Sequence, residues 1–288
     1  MIRSMTGFAR RERQGPWGTL ACEVRTVNHR YLEVSLRLPE ELRSLDNELR
    51  QIISGALRRG KVDANVYLKS AAGTQRTLEL DTQLLDELGA RIDEVRGRIK
   101  DPAPVNPVDL LRWPGIVREG EVDLAPVIAA TLELAREALS ELNETRLREG
   151  QRIRDLLLAR CATMRAQSQT VKARLPEVSQ RVRDRIKDRI TQLGLTPDSD
   201  RLEQELVLYA HKMDVDEELD RLAGHLDEVE AALASSDPAG RRLDFLMQEL
   251  NREANTLSSK SQDAETTKAA VDMKVTIEQM REQVQNIE

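Results

Sequence analysis

Three apolar heptads in succession close this chain, and they restrict what it can fold into more than any other feature. Val215, Leu219, Leu222, Leu226, Val229 and Leu233 form the first. Leu243, Met247, Leu250, Ala254 and Leu257 form the second, and Ala270, Met273, Ile277, Met280, Val284 and Ile287 the third. Alternating steps of four and three place each set on one helix face. Such a seam is stable only when other helices cover it. Residues 211–288 therefore predict a helical bundle, broken at SSDPAG and again around Ser261.

The residues beside the seams differ from a solvated face of interchangeable Glu and Lys. His211, Asp214, Glu218, Arg221 and His225 run one position ahead of the first seam. Asp244, Gln248, Asn251, Asn255 and Ser258 flank the second, with Glu249, Glu253, Thr256 and Lys260 on its other side. Lys274, Glu278, Arg281, Gln285 and Glu288 flank the third. Asp, Asn and His give up helix propensity for hydrogen-bonding geometry, which marks a site. Phosphodiester hydrolysis at neutral pH needs an activated water and neutralisation of developing charge, and a divalent metal on carboxylates supplies both. Asp214, Glu217, Glu218, Glu249, Glu253, Glu278 and Glu282 are candidate ligands for Mg²⁺ or Mn²⁺. His211 and His225 are candidate ligands or proton carriers. The bland alternative makes each carboxylate a solvated side chain and Asp214 a helix cap.

Length suggests two domains. A third of the residues are charged and only seven are aromatic, a composition that fits long helices. Phe8, Trp17, Trp113, Phe245 and the three tyrosines are scattered along the chain, which argues against binding single-stranded RNA by base stacking. Cys22 and Cys161 are far apart and outside any CxxC pattern, so neither a disulfide framework nor a zinc site is expected. No apolar signal core or membrane-length segment is present, and a cytoplasmic protein is the natural expectation. Charge is unevenly divided. Residues 1–70 hold thirteen Lys and Arg against eight Asp and Glu, a balance of +5; residues 211–288 hold nine against eighteen, a balance of −9. A basic front and an acidic tail fit a phosphate-bearing partner and bound cations.

The first seventy residues alternate as strands do, through SMTGFARRER, TLACEVRTV and YLEVSLRL. A helix follows from about Pro39, and then the strand VDANVYLKS. A helix is expected over roughly 81–99, stopped by KDPAPVNP, and VDLLRWPGIV reads as a short apolar element packed on the first domain. From about Pro126 the chain reads as two helices, one running to near Ser168 and a second over 171–193, ended by GLTPDSD with Asp200 and Glu203 as a capping pair. The expected architecture is α+β: a small mixed α/β domain (1–125), a helical hairpin or coiled-coil arm (126–198), and a C-terminal helical bundle (199–288). In the first domain, Arg25, Asn28, His29 and Arg30 cluster at a strand junction, and Arg58, Arg59 and Lys61 surround Gly60. Both groups suit phosphate contacts, or are simply basic turns.

MTGFAR, EVRTVNHRYLEVSLRLP, RRGKVD and the block from DVDEELDRL through GRRLDFLMQELNREANTLSSKS to IEQMREQVQNIE resemble the YicC/YloC family of bacterial proteins, across the whole chain. The resemblance implies a cytoplasmic, divalent-metal-dependent endoribonuclease acting in RNA turnover under stress. It also implies homo-oligomers, hexameric rings that close over RNA. On this basis Asp214, Glu218, Glu249, Glu253, Glu278 and Glu282 are the expected metal ligands. His225, Glu218, Glu249, Glu253, Arg252 and Arg281 are the expected catalytic groups. Arg25, Asn28, Arg30, Arg59, Lys61, Arg221, Lys260 and Lys274 are the expected RNA contacts. The competing expectation is a non-catalytic oligomeric RNA-binding scaffold or an adaptor for another nuclease, in which the polar stripes fix register between subunits.

Overall fold

The computed structural model describes residues 2–70, 78–119, 124–192, 202–208, 214–235 and 239–288. His211, Asp200 and the centre of the SSDPAG break lie outside the described residues. The fold is α+β, as the alternation and the heptads require.

Strands β1 (Gly7–Gly15), β2 (Gly18–Val27), β3 (Leu32–Arg37) and β4 (Gly60–Ser70) form one sheet in the order β1-β2-β4-β3. β1 and β4 run antiparallel to β2, and β3 runs parallel to β4. The parallel pair is joined by a 3-10 turn (Glu40–Leu45) and helix α1 (Asp46–Ala56), whose Leu49 and Ile53 are buried. The period-two pattern gives the sheet two unlike faces. Leu20, Cys22, Val24, Val62, Ala64 and Val66 turn inward to a core shared with α1.

A small lobe follows, with strands β5 (Leu78–Leu80) and β6 (Val117–Glu119) paired around helices α2 (Thr82–Arg96) and α3 (Pro107–Leu111). Here VDLLRWPGIV folds differently from expectation. Only Ile116 is buried; Val108, Leu111 and Trp113 are exposed, and the segment closes on its own lobe through the Asp81 N–H to Ile116 O bond rather than on the first domain.

Where two helices were expected after Pro126, there is one. Helix α4 (Ala125–Gln192) runs for 68 residues, roughly 100 Å at the helical rise. Its first half packs Val127, Ala130, Leu134, Ala138 and Leu142 against the inner face of the sheet. Its second half carries a further heptad, Leu157, Cys161, Met164 and Val171, into the C-terminal core. The polar stretch around Gln169 reads as a break, but the apolar register resumes beyond it and holds the helix together. Pro176 is exposed, so the carbonyl it leaves without a donor can be met by water. Both cysteines are buried, and burial foremost raises their thiols to about 11. They are unreactive core residues.

Helices α5 (Asp216–Ala234), α6 (Gly240–Lys260) and α7 (Ala264–Val284) complete a bundle around α4, and every residue of the three seams lies in its core. Asp263 caps α7 and pairs with Arg174 and Arg181 of α4. Burial would raise its carboxyl, but the Thr266 N–H and the two guanidiniums hold it below the usual range.

The two ends of the chain meet at the junction between sheet and bundle. Ile2 enters the bundle core. Arg3 and Glu288 exchange backbone hydrogen bonds, Ser4 N–H donates to Arg146 O, and Met5 N–H donates to Asn286 O. Gly150 of α4 permits this crossing, because a Cβ there would stand 2.3 Å from Ile2 O and 2.8 Å from Arg3 Cα. Both neighbours are backbone and cannot rotate away. Gly150→Ala is expected to cost about 2–3 kcal/mol by displacing the N-terminal segment, read as an earlier urea midpoint with unchanged helical content.

Candidate metal centre

α5 and α6 lie side by side, and their polar flanks meet in a ladder. At one end Lys260 Nζ donates to Glu218 Oε1 at 2.8 Å and to Asp214 O at 2.9 Å. In the middle Arg221 Nη1 stands 3.9 Å from Glu253 Oε1 while its other nitrogen bonds Glu217. At the far end His225 of α5 faces Glu249 and Glu253, which sit one turn apart on α6. The potential ligand atoms of these three residues all lie within 4.8 Å of one another.

The last rung differs from the others in its charge balance. Glu218 is buried with an ammonium in contact, so its charge is matched. Glu253 is also buried, at 4% exposure, but its nearest cation is Arg221 at 3.9 Å, beyond a hydrogen bond. Glu249 is half-buried and, among the described residues, has only Arg252 at 3.9 Å. His225 Nδ1 is buried with no hydrogen-bond partner among the described residues. A buried carboxylate and an unsatisfied imidazole nitrogen are costly without a compensating group.

A divalent ion fits this donor set. One imidazole and two carboxylates suit Mn²⁺, and the two carboxylates suit Mg²⁺. Two atoms bound to one such ion at roughly 2.1 Å stand about 3.0 Å apart when cis and about 4.2 Å when trans, so side-chain rotation has to draw the set together before all three bind.

The other expected ligands are placed elsewhere. Asp214 accepts the Asp216 N–H and precedes the α5 turn, roughly 16 Å of chain from His225 at the helical rise. Glu278 and Glu282 are exposed on α7. Asp244, on the other flank of α6, meets Arg281 of α7 at 3.8 Å, and Glu278 meets the same arginine at 3.9 Å. Lys274 is exposed on that helix. The three carboxylate-bearing flanks thus separate into one convergent pair, α5 with α6, and one ordinary surface, α7.

The N-terminal clusters divide in the same way. Asn28 Nδ2 donates to Gln285 O at 2.6 Å, and Arg59 donates to Ile287 O at 2.8 Å. Both side chains satisfy carbonyls at the end of α7 that have no partner within the helix. Gly60, at φ +112°, forms the close turn beside them with its N–H on Tyr31 O. Arg25, Arg30 and Lys61 stay exposed, Arg30 lying 5.2 Å over the Tyr31 ring.

Residues 2–155 match the description "Endoribonuclease YicC-like, N-terminal region", and residues 171–288 match "Endoribonuclease YicC-like, C-terminal". The chain belongs to the YicC-like endoribonuclease family. It is 39% identical over 288 residues to "Probable endoribonuclease YicC" of Haemophilus influenzae, and 30% identical over 293 residues to a protein of the same name from Clostridioides difficile. In both cases the alignment spans all of each chain. Among the described residues no helix is long and apolar enough to cross a membrane.

One residue central to this YicC-like fold has no role assigned from the sequence, where it stands in the segment RLREG. Arg146, at 2% exposure, donates to Ser4 O at 2.7 Å and binds the Glu288 carboxylate. Its sequence signal is an arginine on the apolar face that Leu139, Leu142 and Gly150 continue.

Proposed function

We propose that this chain is an endoribonuclease whose cleavage site is the open end of the α5–α6 ladder. His225, Glu249 and Glu253 would hold one Mg²⁺ or Mn²⁺. When bound, such an ion supplies a water acidic enough to ionise near neutral pH and a counter-charge for the phosphorane. The carrying observation is the third rung: two carboxylates and an imidazole converge, one carboxylate buried, with no cation among the described residues in hydrogen-bonding contact. The family membership and the relatives' names support RNA as the substrate.

The residues around the rung have definite roles in this reading. Glu253 is fixed by burial and cannot leave the site. Glu249, half-buried, reaches outward, and His225 serves as ligand or proton carrier. Arg221 and Arg252 border the two carboxylates and are placed to take the non-bridging oxygens of a phosphodiester. Glu218 and Lys260 neutralise each other, so they set the register of α5 against α6. Arg281 and Lys274 on α7, with Arg25, Arg30 and Lys61 on the N-terminal domain, remain cations for the RNA backbone. The reading includes a cytoplasmic protein assembled as a homo-hexamer around RNA and acting in RNA turnover under stress.

The scaffold reading draws on one observation, the two ion-paired rungs, which lock helices without any chemistry. The readings part on a single experiment. Purified protein is expected to cleave a labelled RNA with added Mn²⁺ or Mg²⁺ and to stop with EDTA. Cleavage indifferent to EDTA, or lost on further purification, sinks the metal-dependent assignment.

A further inference from the structure

The proposed cleavage site does not use the outward face of the N-terminal sheet. Strand register sets its side chains out in rows. One row runs Phe8, Arg25, Asp63, Ser35. The next runs Arg10, Glu23, Asn65, Arg37, and the third holds Glu12, Ala21 and Tyr67. Val27, Lys61 and Glu33 lie before the first row, and Gln14, Thr19 and Lys69 after the third. A concavity of about 800 Å³ opens here, lined by Phe8, Arg25, Arg37, Asp63 and Asn65 among others, with Thr145 and Glu149 of α4 at its side.

Three properties of this face point to one class of ligand. First, Phe8 and Tyr67 are 53% and 52% exposed on a sheet whose other face is a packed core. Two exposed rings on a polar surface are a poor apolar docking patch but good platforms for a planar base. By strand spacing they stand roughly 16 Å apart, two strands across and four residues along, which leaves room for unstacked nucleotides between them. Second, Arg10 is held by Glu12 and Glu23. Arg25, Arg37, Lys61 and Lys69 make no ion pair among the described residues, against Asp63 and Glu33 as the remaining carboxylates on the face. With Arg10 and its two carboxylates counted, five cations meet four carboxylates on the face, and in the concavity Arg25 and Arg37 stand among Glu23, Asp63 and Glu149, so phosphate contacts fall to these two guanidiniums rather than to a basic field. Third, Asn65 and Asp63 offer amide and carboxylate groups at the floor, the donors and acceptors that meet exposed base edges in single strands.

We propose that the outward face of the N-terminal sheet binds single-stranded RNA, with Phe8 and Tyr67 stacking bases and Arg25 and Arg37 holding phosphates between them. This rests on the endoribonuclease reading for the identity of the polymer and adds to it where the strand lies. It also reverses the sequence-based argument from scattered aromatics, because two of the seven rings reach one face of one sheet.

The test is fluorescence anisotropy of a labelled twelve-nucleotide oligo-U in EDTA, so that cleavage plays no part, using the full chain. Phe8→Leu and Tyr67→Leu keep apolar bulk and remove the ring. Because both positions are more than half exposed, the melting temperature should hold. Each is expected to weaken binding about tenfold, and Arg25→Gln to flatten the salt dependence. A self-complementary RNA duplex should compete poorly, since its bases cannot reach the rings. Unchanged affinity in both ring variants, or equal competition by duplex, overturns this proposal while leaving the cleavage site standing. Wild-type protein that neither binds nor cleaves RNA overturns both readings.

Discussion

Glu253→Gln is expected to abolish RNA cleavage while leaving the fold as stable as before or more so. The two effects have opposite signs because one carboxylate is asked to do two things. It is buried, and its one nearby cation among the described residues stands at 3.9 Å, so in the metal-free protein its charge costs desolvation that the Arg221 contact only partly returns. Removing that charge with an isosteric amide relieves the cost, and stability in EDTA should stay within about 1 kcal/mol of the parent or rise. The same change removes a ligand from a set of three. Loss of several kcal/mol of charge stabilisation in the transition state is on the order of a thousandfold in kcat. Single-turnover cleavage with saturating Mn²⁺ and a urea titration in EDTA give the two numbers. If the carboxylate were a structural strut on Arg221, the variant would unfold earlier and cleave normally, and the assignment of this rung would be wrong. Glu218→Gln is the control: it removes the charge that matches Lys260, which keeps its bond to Asp214 O, and should destabilise without entering the chemistry.

The contrast between Glu253 and Glu278 shows where sequence reading stops. Both are carboxylates beside a heptad seam, and nothing in their spacing separates them. Periodicity fixes the face of a helix on which a residue sits, not which helix faces it. That choice depends on α4 filling one side of the bundle and on the turns that set α6 between α5 and α7, so only α5 and α6 bring their acidic flanks together. The seams themselves were legible because burial of Leu, Ile, Val and Met at helical spacing is a local rule with a large payoff per residue. Strand alternation in residues 7–70 was legible for the same reason. Asn28 and Arg59 show the opposite case. As sequence they are polar residues in basic turns, the pattern of a phosphate grip. In the fold they meet the carbonyls of Gln285 and Ile287, from the far end of the chain. A long-range partner of that kind leaves no local trace. The continuity of α4 was hidden for a related reason, since Ser168, buried between Met164 and Val171, puts a polar residue at a seam position and interrupts the apolar register that would reveal it.

Arg146→Met is the second large effect, and it falls on the joint that holds the two cores together. Arg146 is nine-tenths or more buried and reaches across to Ser4 O and to the Glu288 carboxylate, while its own carbonyl accepts the Ser4 N–H. Arg59 lies 3.8 Å from the same carboxylate and donates to Ile287 O. One guanidinium therefore ties α4 to both ends of the chain. Methionine fills much of the space along the helix but leaves the Ser4 carbonyl and most of the Glu288 charge without a partner, and removing one member of a buried pair costs about 3–5 kcal/mol. In a protein of this length that corresponds to a fall of roughly 10 °C in Tm. The damage should be local at first. Hydrogen exchange is expected to rise at the Arg3, Met5 and Glu288 amides before it rises in the α5–α6 ladder, because the ladder is packed on the seam and does not touch this joint. Glu288→Gln retains hydrogen bonding to Arg146 and should cost less than the arginine change. Equal losses in the two variants would mean that the charge, rather than the network of donors, secures the joint. A wild-type Tm in Arg146→Met would mean that the shared helix alone couples the sheet to the bundle.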